Sequence, residues 1–417
     1  MTKSKLSFIF LTIFLDALGF AILIPVVPLL LADPKSTFFI LPAGYSVQTG
    51  YILLGLLTAI FPLMQFFSTS ILGQLSDKFG RKKILVYTIF GTSFSYALFA
   101  VGIYLRNIPI LFFSRALAGI TSGNLSVAQA AIADFTEPKD RAKNFGIIGA
   151  GFGLGFIMGP FIGGKLSDPA VVSFFNPAVP FIFAAIMSFI NAVSVKFFFS
   201  ETNKFSSEHP KVEWHKSILN IYKALGLENL RILFISNFLF FFGFTFFITF
   251  FSIFLINRLG FSQGGIGDIF SFMGLCFLFS QMVVVRQVSK FFSERQILAV
   301  SLLADGFAVG IIYFVHVTWM VYVMIAIISI FNGLIFANTP GLISRSADQK
   351  IQGEILGINF SVQAMAQLIP PVLSGVLAAS VGPEFPTLVA SIIMVLAGLF
   401  FITFYRPQKS VAHIKGY

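Results

Sequence analysis

The feature that most constrains this chain is a succession of apolar runs of about 20 residues, divided by short charged or Pro/Gly-rich connectors. Runs of that length cross a ~30 Å hydrocarbon core as helices, and lipid leaves the backbone no other way to satisfy its hydrogen bonds except a closed barrel. Twelve spans are predicted, at 6–32, 48–73, 83–104, 108–132, 144–166, 179–200, 231–257, 265–286, 296–315, 318–340, 355–380 and 385–405. Hydrophobic residues make up 57% of the chain and charged ones 11%, against about 25% charged in soluble domains. The first run follows Lys3 and Lys5, as a signal peptide would. It continues through Asp16, Pro25 and Pro28 without a small-x-small cleavage site, so a retained helix is expected. The one cysteine, Cys276, lies within a span and excludes a disulfide framework; the scattered histidines predict no metal site.

Lysine and arginine set the orientation. With both termini in the cytoplasm, every basic residue falls inside except Lys35, Arg106, Lys165 and Arg258, with Arg115 inside a span. The net charge of +11 is thereby read as topology and anchoring, which excludes a nucleic-acid partner. The charged connector 201–230 divides the spans six and six. This gives an N-terminal six-helix bundle at 1–200, a cytoplasmic linker at 201–230 and a C-terminal bundle at 231–417. Val212, Ile218, Leu219, Tyr222 and Leu225 recur at helical spacing in the linker, consistent with either an amphipathic surface helix or a solvated tether.

The halves repeat one another. GQLSDKFGRKKIL (73–85) aligns without gaps against RQVSKFFSERQIL (286–298), and GPFIGGKL (159–166) stands opposite PPVLSGVL (370–377). Parallel six-helix repeats with a site between them are the layout of an alternating-access transporter. The expected fold is therefore all-α, twelve transmembrane helices in two pseudo-symmetric bundles. There is no Walker sequence and no nucleophile–base–acid set, so neither ATP drive nor an enzyme is expected.

Five motifs in order carry a family resemblance. They are LDALGFAILIPVVP (15–28), GQLSDKFGRKK (73–83), RALAGITSG (115–123), IADFTEPKDRAKNFG (132–146) and the glycine series Gly146, Gly155, Gly159, Pro160, Gly163 and Gly164. Over nearly its full length the chain resembles the major facilitator superfamily, and within it the twelve-helix drug:proton antiporters that include the tetracycline exporters. The resemblance implies proton-coupled efflux of amphipathic small molecules by a monomer in the inner cell membrane, with the proton gradient as energy source and no cofactor. It also implies a role for Arg115 in proton coupling. The motif around Asp77 becomes a latch between the halves in the outward-facing state, made of Gly73, Asp77, Gly80 and Arg81 with Asp134.

Ionisable groups inside a bilayer are costly and are functional candidates by default. Asp16 lies about ten residues into its span, or ~15 Å at 1.5 Å per residue. Such a carboxylate can exchange a proton or meet a substrate cation, or it can form a permanent structural ion pair. Arg115 cannot give up its proton, so its role is to tune a carboxylate or bind an anionic group; an Asp16–Arg115 pair is expected. Asp305 is the third deep charge, with a bond to a neighbouring helix as the alternative to a coupling role. Gln65, Asn124, Asn237, Gln281, Asn338 and Gln363 are candidate cavity polar groups, each of which could instead link helices. The phenylalanines of FLFFFGFTFFITFFSIF (238–254) are read mainly as facing lipid or neighbouring helices. Within GAGFGLGFIMGPFIGG (149–164), Gly151, Gly155, Gly159 and Gly163 form a column on one helix face. A close contact with the opposite half, sealing the outer side, is expected there. Two alternatives to efflux stand: a proton-coupled uptake symporter, and a non-transporting receptor or scaffold.

Overall fold

Some prolines of this chain break its spans, as at Pro25 and Pro370–Pro371, whereas Pro28, Pro62, Pro160 and Pro340 are carried inside continuous helices. The computed structural model describes residues 2–42, 44–136, 141–203, 219, 222, 226, 228–345 and 352–406. Among these, helices dominate and no strand occurs. The N-terminal elements are α1 (Thr2–Ala21), α2 (Leu23–Leu31), α3 (Val47–Phe79), α4 (Arg81–Tyr104), α5 (Ile108–Thr121), α6 (Asn124–Phe135), α7 (Arg141–Leu166) and α8 (Val179–Phe198). After the connector come α9 (Glu228–Leu259), α10 (Gln263–Phe279), a π turn (Ser280–Val284) running into α11 (Val285–Val288), then α12 (Glu294–Tyr313), α13 (Thr318–Arg345), α14 (Gln352–Leu368), α15 (Pro370–Ser380) and α16 (Phe385–Phe404). Among the described residues, eleven of the twelve expected spans are long and apolar enough to cross a membrane. The glycine-rich α7 occupies the place of the remaining one.

Four spans are built from more than one helix, which periodicity did not signal. Pro25 lacks the N–H that would bond Ala21, and its ring crowds that carbonyl; α1 ends at Ala21. The fourth span breaks at Ser122–Gly123, and α3 meets the freed backbone: Gln65 Nε2 donates to the Ser122 carbonyl (3.3 Å). Pro370 and Pro371 open α15 in the eleventh span, and the eighth winds into its π turn at Ser280. Glycine sets the packing within each half. A Cβ on Gly119 would stand 2.4 Å from the Phe61 carbonyl oxygen, so α5 and α3 touch backbone to backbone.

Apolar side chains between the helices form three clusters. One is formed by buried residues of the C-terminal spans with Ile24 and Phe156 packed against it, one lies wholly in the N-terminal spans, and one is built mainly from the N-terminal spans with Phe250, Ile253 and Ala378 joining from the other half. Phe240, Phe247, Phe250, Phe251 and Phe254 are fully buried, so the core rings of the phenylalanine run face neighbouring helices and not lipid. Of the linker positions, Leu219 and Tyr222 are helical and exposed; Val212, Ile218 and Leu225 lie outside the described residues.

Candidate functional site

Asp16 sits on α1 one turn before Gly19, whose missing side chain lets another helix in. A Cβ on Gly19 would fall 1.9 Å from the hydroxyl of Tyr96, on α4. Tyr96 is buried, its hydroxyl has no hydrogen-bond partner, and it is the electrostatic neighbour of both Asp16 and Arg115. Asn124, the first residue of α6 after the Ser122–Gly123 break, stands beside Asp16. Both its amide atoms are buried, and its side chain is the hydrogen-bonding neighbour of the Asp16 carboxylate. The Ser122 hydroxyl, like that of Tyr96, is unpartnered. Unmade hydrogen bonds in a buried place are expensive, at about 1–3 kcal/mol each. These polar groups come from α4, from the Ser122–Gly123 break and from the start of α6.

The expected Asp16–Arg115 ion pair is not formed. Arg115 is 2% exposed; its guanidinium lies 4.5 Å from the centre of the Phe61 ring and 5.9 Å from that of Phe20. Its Nε and Nη2 have no hydrogen-bond partner. The tight α3–α5 contact at Gly119 brings Phe61 over the arginine one turn away, so aromatic faces take the place that a carboxylate was expected to fill. Asp16 keeps partial exposure and makes no ion pair among the described residues. Tyr96 was not among the sequence candidates. A tyrosine in the middle of the apolar third span was its available signal.

Asp305 is elsewhere. It is fully buried on α12, and both its carboxylate oxygens accept from Asn332 Nδ2 on α13, at 3.2 and 3.1 Å. The structure therefore gives it the bond to a neighbouring helix. Most of the neutral polar candidates also bind backbone or a side chain of another helix. Asn237 Nδ2 donates to Asn359 Oδ1 (2.7 Å), Gln281 Nε2 to the Gly333 carbonyl (3.1 Å) and Asn338 Nδ2 to the Leu334 carbonyl of its own helix (2.7 Å). Gln363 is partly exposed on α14.

The charged cluster between α3 and α4 is assembled around a buried arginine. Gly80 holds φ at +98°, a conformation that favours glycine, and so turns α3 directly into α4. Arg81 Nη2 then reaches Asp77 Oδ1 (2.5 Å), its Nε reaches Asp134 Oδ2 (3.2 Å) and its Nη1 reaches Ser76 Oγ (2.5 Å). Gly73 packs α3 against Ser126 of α6. Glu201 completes the cluster and was missed by sequence. Its Oε1 accepts from the Arg81 amide (2.9 Å) and its Oε2 from that of Lys82 (3.1 Å), capping α4. Each of these partners belongs to the first 203 residues. Among the described residues Asp77 makes its ion pair with Arg81 of its own half.

The glycine column of α7 corrects a further expectation. A Cβ on Gly155 would lie 2.4 Å from the Phe14 carbonyl oxygen, one on Gly159 2.6 Å from that of Leu18, and one on Gly163 2.8 Å from that of Ile22. The column faces α1 of its own half, because those small residues and the α1 backbone fit without side chains between them. The adjoining face of α7 meets the other half. A Cβ on Gly267 of α10 would lie 3.2 Å from Gly164 Cα, and one on Gly274 would strike Ile157. Lys165 Nζ pairs with Asp268 Oδ1 (2.8 Å), and Asp168 Oδ2 accepts from the Gly264 amide (3.2 Å). Gly146 lies in the same helix.

Those contacts run from the membrane end opposite the termini, at Lys165 and Asp168, towards the middle of the spans at Ile157, and others join them. A Cβ on Gly55 of α3 would fall 2.3 Å from the Pro371 carbonyl oxygen, and one on Gly375 of α15 would fall 2.6 Å from that of Tyr51. Pro28 leaves the Ile24 carbonyl without its helical donor, and Ser252 Oγ of α9 donates to it (3.0 Å). The halves are closed on one another at that end.

The sequence profile of the Major Facilitator Superfamily matches twice, over residues 9–232 and 233–416. A class H tetracycline resistance protein of Pasteurella multocida is 28% identical over 89% of this chain and 88% of its own length. Multidrug resistance protein 2 of Bacillus subtilis is 26% identical over 99% of this chain and 98% of its own. The inward open xylose transporter XylE of E. coli superposes with a TM-score of 0.76 at 15% identity, covering 99% of this chain and 98% of that one.

Proposed function

The chain belongs to the Major Facilitator Superfamily of multi-pass membrane transporters, which are not enzymes, and from that premise we propose that it exports amphipathic small molecules in exchange for protons. In this reading it works as a monomer in the inner cell membrane, with both termini cytoplasmic and the proton gradient in place of any cofactor. The observation that carries the coupling is Asp16. It is a carboxylate midway along the first span, partly exposed, without an ion pair among the described residues and set beside the unpartnered hydroxyl of Tyr96 and the side-chain amide of Asn124. A permanently paired carboxylate could not take up and release a proton at each turn of a cycle; an unpaired one can. Arg115, stacked on Phe61 and Phe20, supplies a fixed positive charge near the proton site. The relatives named for tetracycline and multidrug resistance support efflux and an amphipathic substrate. Closure of the halves opposite the termini corresponds, with cytoplasmic termini, to a carrier facing inward. Opening of that end would then accompany closure around Asp77, Arg81 and Asp134, the proposed latch.

Purified protein in liposomes with an imposed pH gradient tests the reading. A drug panel that includes tetracycline is screened while internal pH is followed. Antiport requires substrate and protons to move in opposite directions, and Asp16→Asn to abolish the proton flux while leaving the protein folded. Substrate and proton entering together would establish symport and refute export; coupled flux that survives Asp16→Asn would refute the role of Asp16.

A further inference from the structure

Outside the bundle, between the start of α4 and the end of α8, lies a cavity of about 370 Å³ lined by Lys82, Lys83, Val86, Tyr87, Phe90, Lys196 and Glu201. It belongs neither to the Asp16 region nor to the contact between the halves. Its acid is already committed: Glu201 Oε1 accepts from the amides of Arg81, Thr202 and Asn203, and Oε2 accepts from that of Lys82. The three lysine ammonium groups are left without an ion pair among the described residues, Lys83 and Lys196 being exposed. Below them the wall turns apolar. Phe90 meets Phe189 of α8 edge-on at 5.6 Å, and exposed Tyr87, Phe94 and Ile186 continue along the same outer faces of α4 and α8.

We propose that this cavity binds the phosphate headgroup of an anionic phospholipid, with the acyl chains lying along the aromatic face of α4 and α8. Three cations gathered where two membrane helices end call for an anion. The apolar wall running from them into the spans selects an anion that carries hydrocarbon over a soluble one. On the orientation proposed above, the lipid comes from the inner leaflet. A zwitterionic lipid would present an ammonium group to the lysines, so the site discriminates by headgroup charge. The headgroup would sit directly against the first turn of α4, whose Arg81 joins Asp77 to Asp134.

The test uses the full chain in an uncharged detergent, titrated with phosphatidylglycerol or phosphatidylcholine, with retained lipid read by native mass spectrometry and by thermal unfolding. Inorganic phosphate and glycerol 3-phosphate serve as probes without chains. Phosphatidylglycerol is expected to be retained at least tenfold over phosphatidylcholine, and each lysine-to-glutamine change at 82, 83 and 196 to weaken it by roughly fivefold. The double variant Lys83→Gln with Lys196→Gln keeps the test open if the triple variant fails to fold. Arg286→Gln with Lys290→Gln, exposed in the other half, should change nothing. Equal retention of both lipids, equal loss in that control, or full occupation by phosphate without chains would each overturn the proposal.

Discussion

The contact at Gly55 allows the closed end to be perturbed without touching any charge. Replacing Gly55 by alanine adds a Cβ that would sit 2.3 Å from the Pro371 carbonyl oxygen, 3.1 Å from its carbon and 3.2 Å from Gly375 Cα, where ordinary contact begins at 3.4 Å. All three obstacles are backbone, so no side chain can swing aside. The helices must part by about 1 Å, and inserting a methyl group into a packed contact costs about 1–3 kcal/mol. Alanine is also a better helix former by about 1 kcal/mol, but that gain is present in both conformations and cancels from the equilibrium between them. The substitution therefore opposes only the state in which this end is closed. At tenfold per 1.4 kcal/mol, the closed state should lose between about fivefold and 150-fold in relative population.

Spin labels at Gln48→Cys and Ser380→Cys, both exposed near the closed end, on a Cys276→Ser background, would report the distance between the halves. A longer-distance population should grow in Gly55→Ala. The matched control is Gly155→Ala, whose Cβ would meet the Phe14 carbonyl at 2.4 Å, a comparable crowding entirely inside one half. It should lower thermal stability without moving the label distances. An unchanged distribution in folded Gly55→Ala, or an equal shift in Gly155→Ala, would refute the assignment of Gly55 to a moving contact.

Exchanging the charges by Asp16→Arg with Arg115→Asp should not restore coupled transport in the liposome assay, since the two side chains form no pair to be rebuilt. Asp305→Ala strips the Asn332 amide of its carboxylate partner in a fully buried place; unfolding should cost about 1–3 kcal/mol less, read as a lower Tm, with the proton-to-substrate ratio unchanged. Glu201→Gln weakens the cap on α4 and should lower the Tm by the equivalent of about 0.5–2 kcal/mol. Asp268→Asn removes an ion pair whose partners are 31% and 50% exposed. Such pairs contribute below about 1 kcal/mol, so label distances at the closed end should barely change.

The spans were legible because lipid leaves helices a single strong signal, length and hydropathy, and their limits agree to within a few residues for most. Helix interruptions were less so. Pro25 and the Pro370–Pro371 pair announce theirs, but the break at Ser122–Gly123 depends on Gln65 reaching a freed carbonyl 57 positions away. A chain can leave a helix inside a membrane only where such a partner waits, and partners distant in sequence are not visible in it. The same limit applies to Arg115. Its depth was readable from position alone, whereas its neighbour was decided by which face of α3 the Gly119 contact presents. Glu201 escaped notice because a carboxylate just past a span looks like any solvated residue until the α4 amides are placed against it.

The glycine series of α7 separates two things that spacing alone confuses. Small residues every fourth position say that some backbone comes close; they do not say whose. Here Gly155, Gly159 and Gly163 receive α1 of the same half, while Ile157, Gly164 and Lys165 meet α10 of the other. The two interfaces differ in kind. The first is backbone against backbone along several turns, which no sliding motion could preserve. The second begins at the closed end with a partly exposed ion pair and continues down the two helices through single contacts, Gly164 with Gly267, Ile157 with Gly274 and Gly153 with Phe277. In an alternating-access cycle the first interface would therefore keep α7 fixed to α1 and its Asp16, so that the two helices move as one body when α10 parts from α7. Gly159→Leu, driven against Ala21 and the Leu18 carbonyl, should break that rigid unit: coupling between proton and substrate flux would be lost before the label distances at the closed end changed. Retained coupling in a folded Gly159→Leu protein would show that α1 and α7 need not move together.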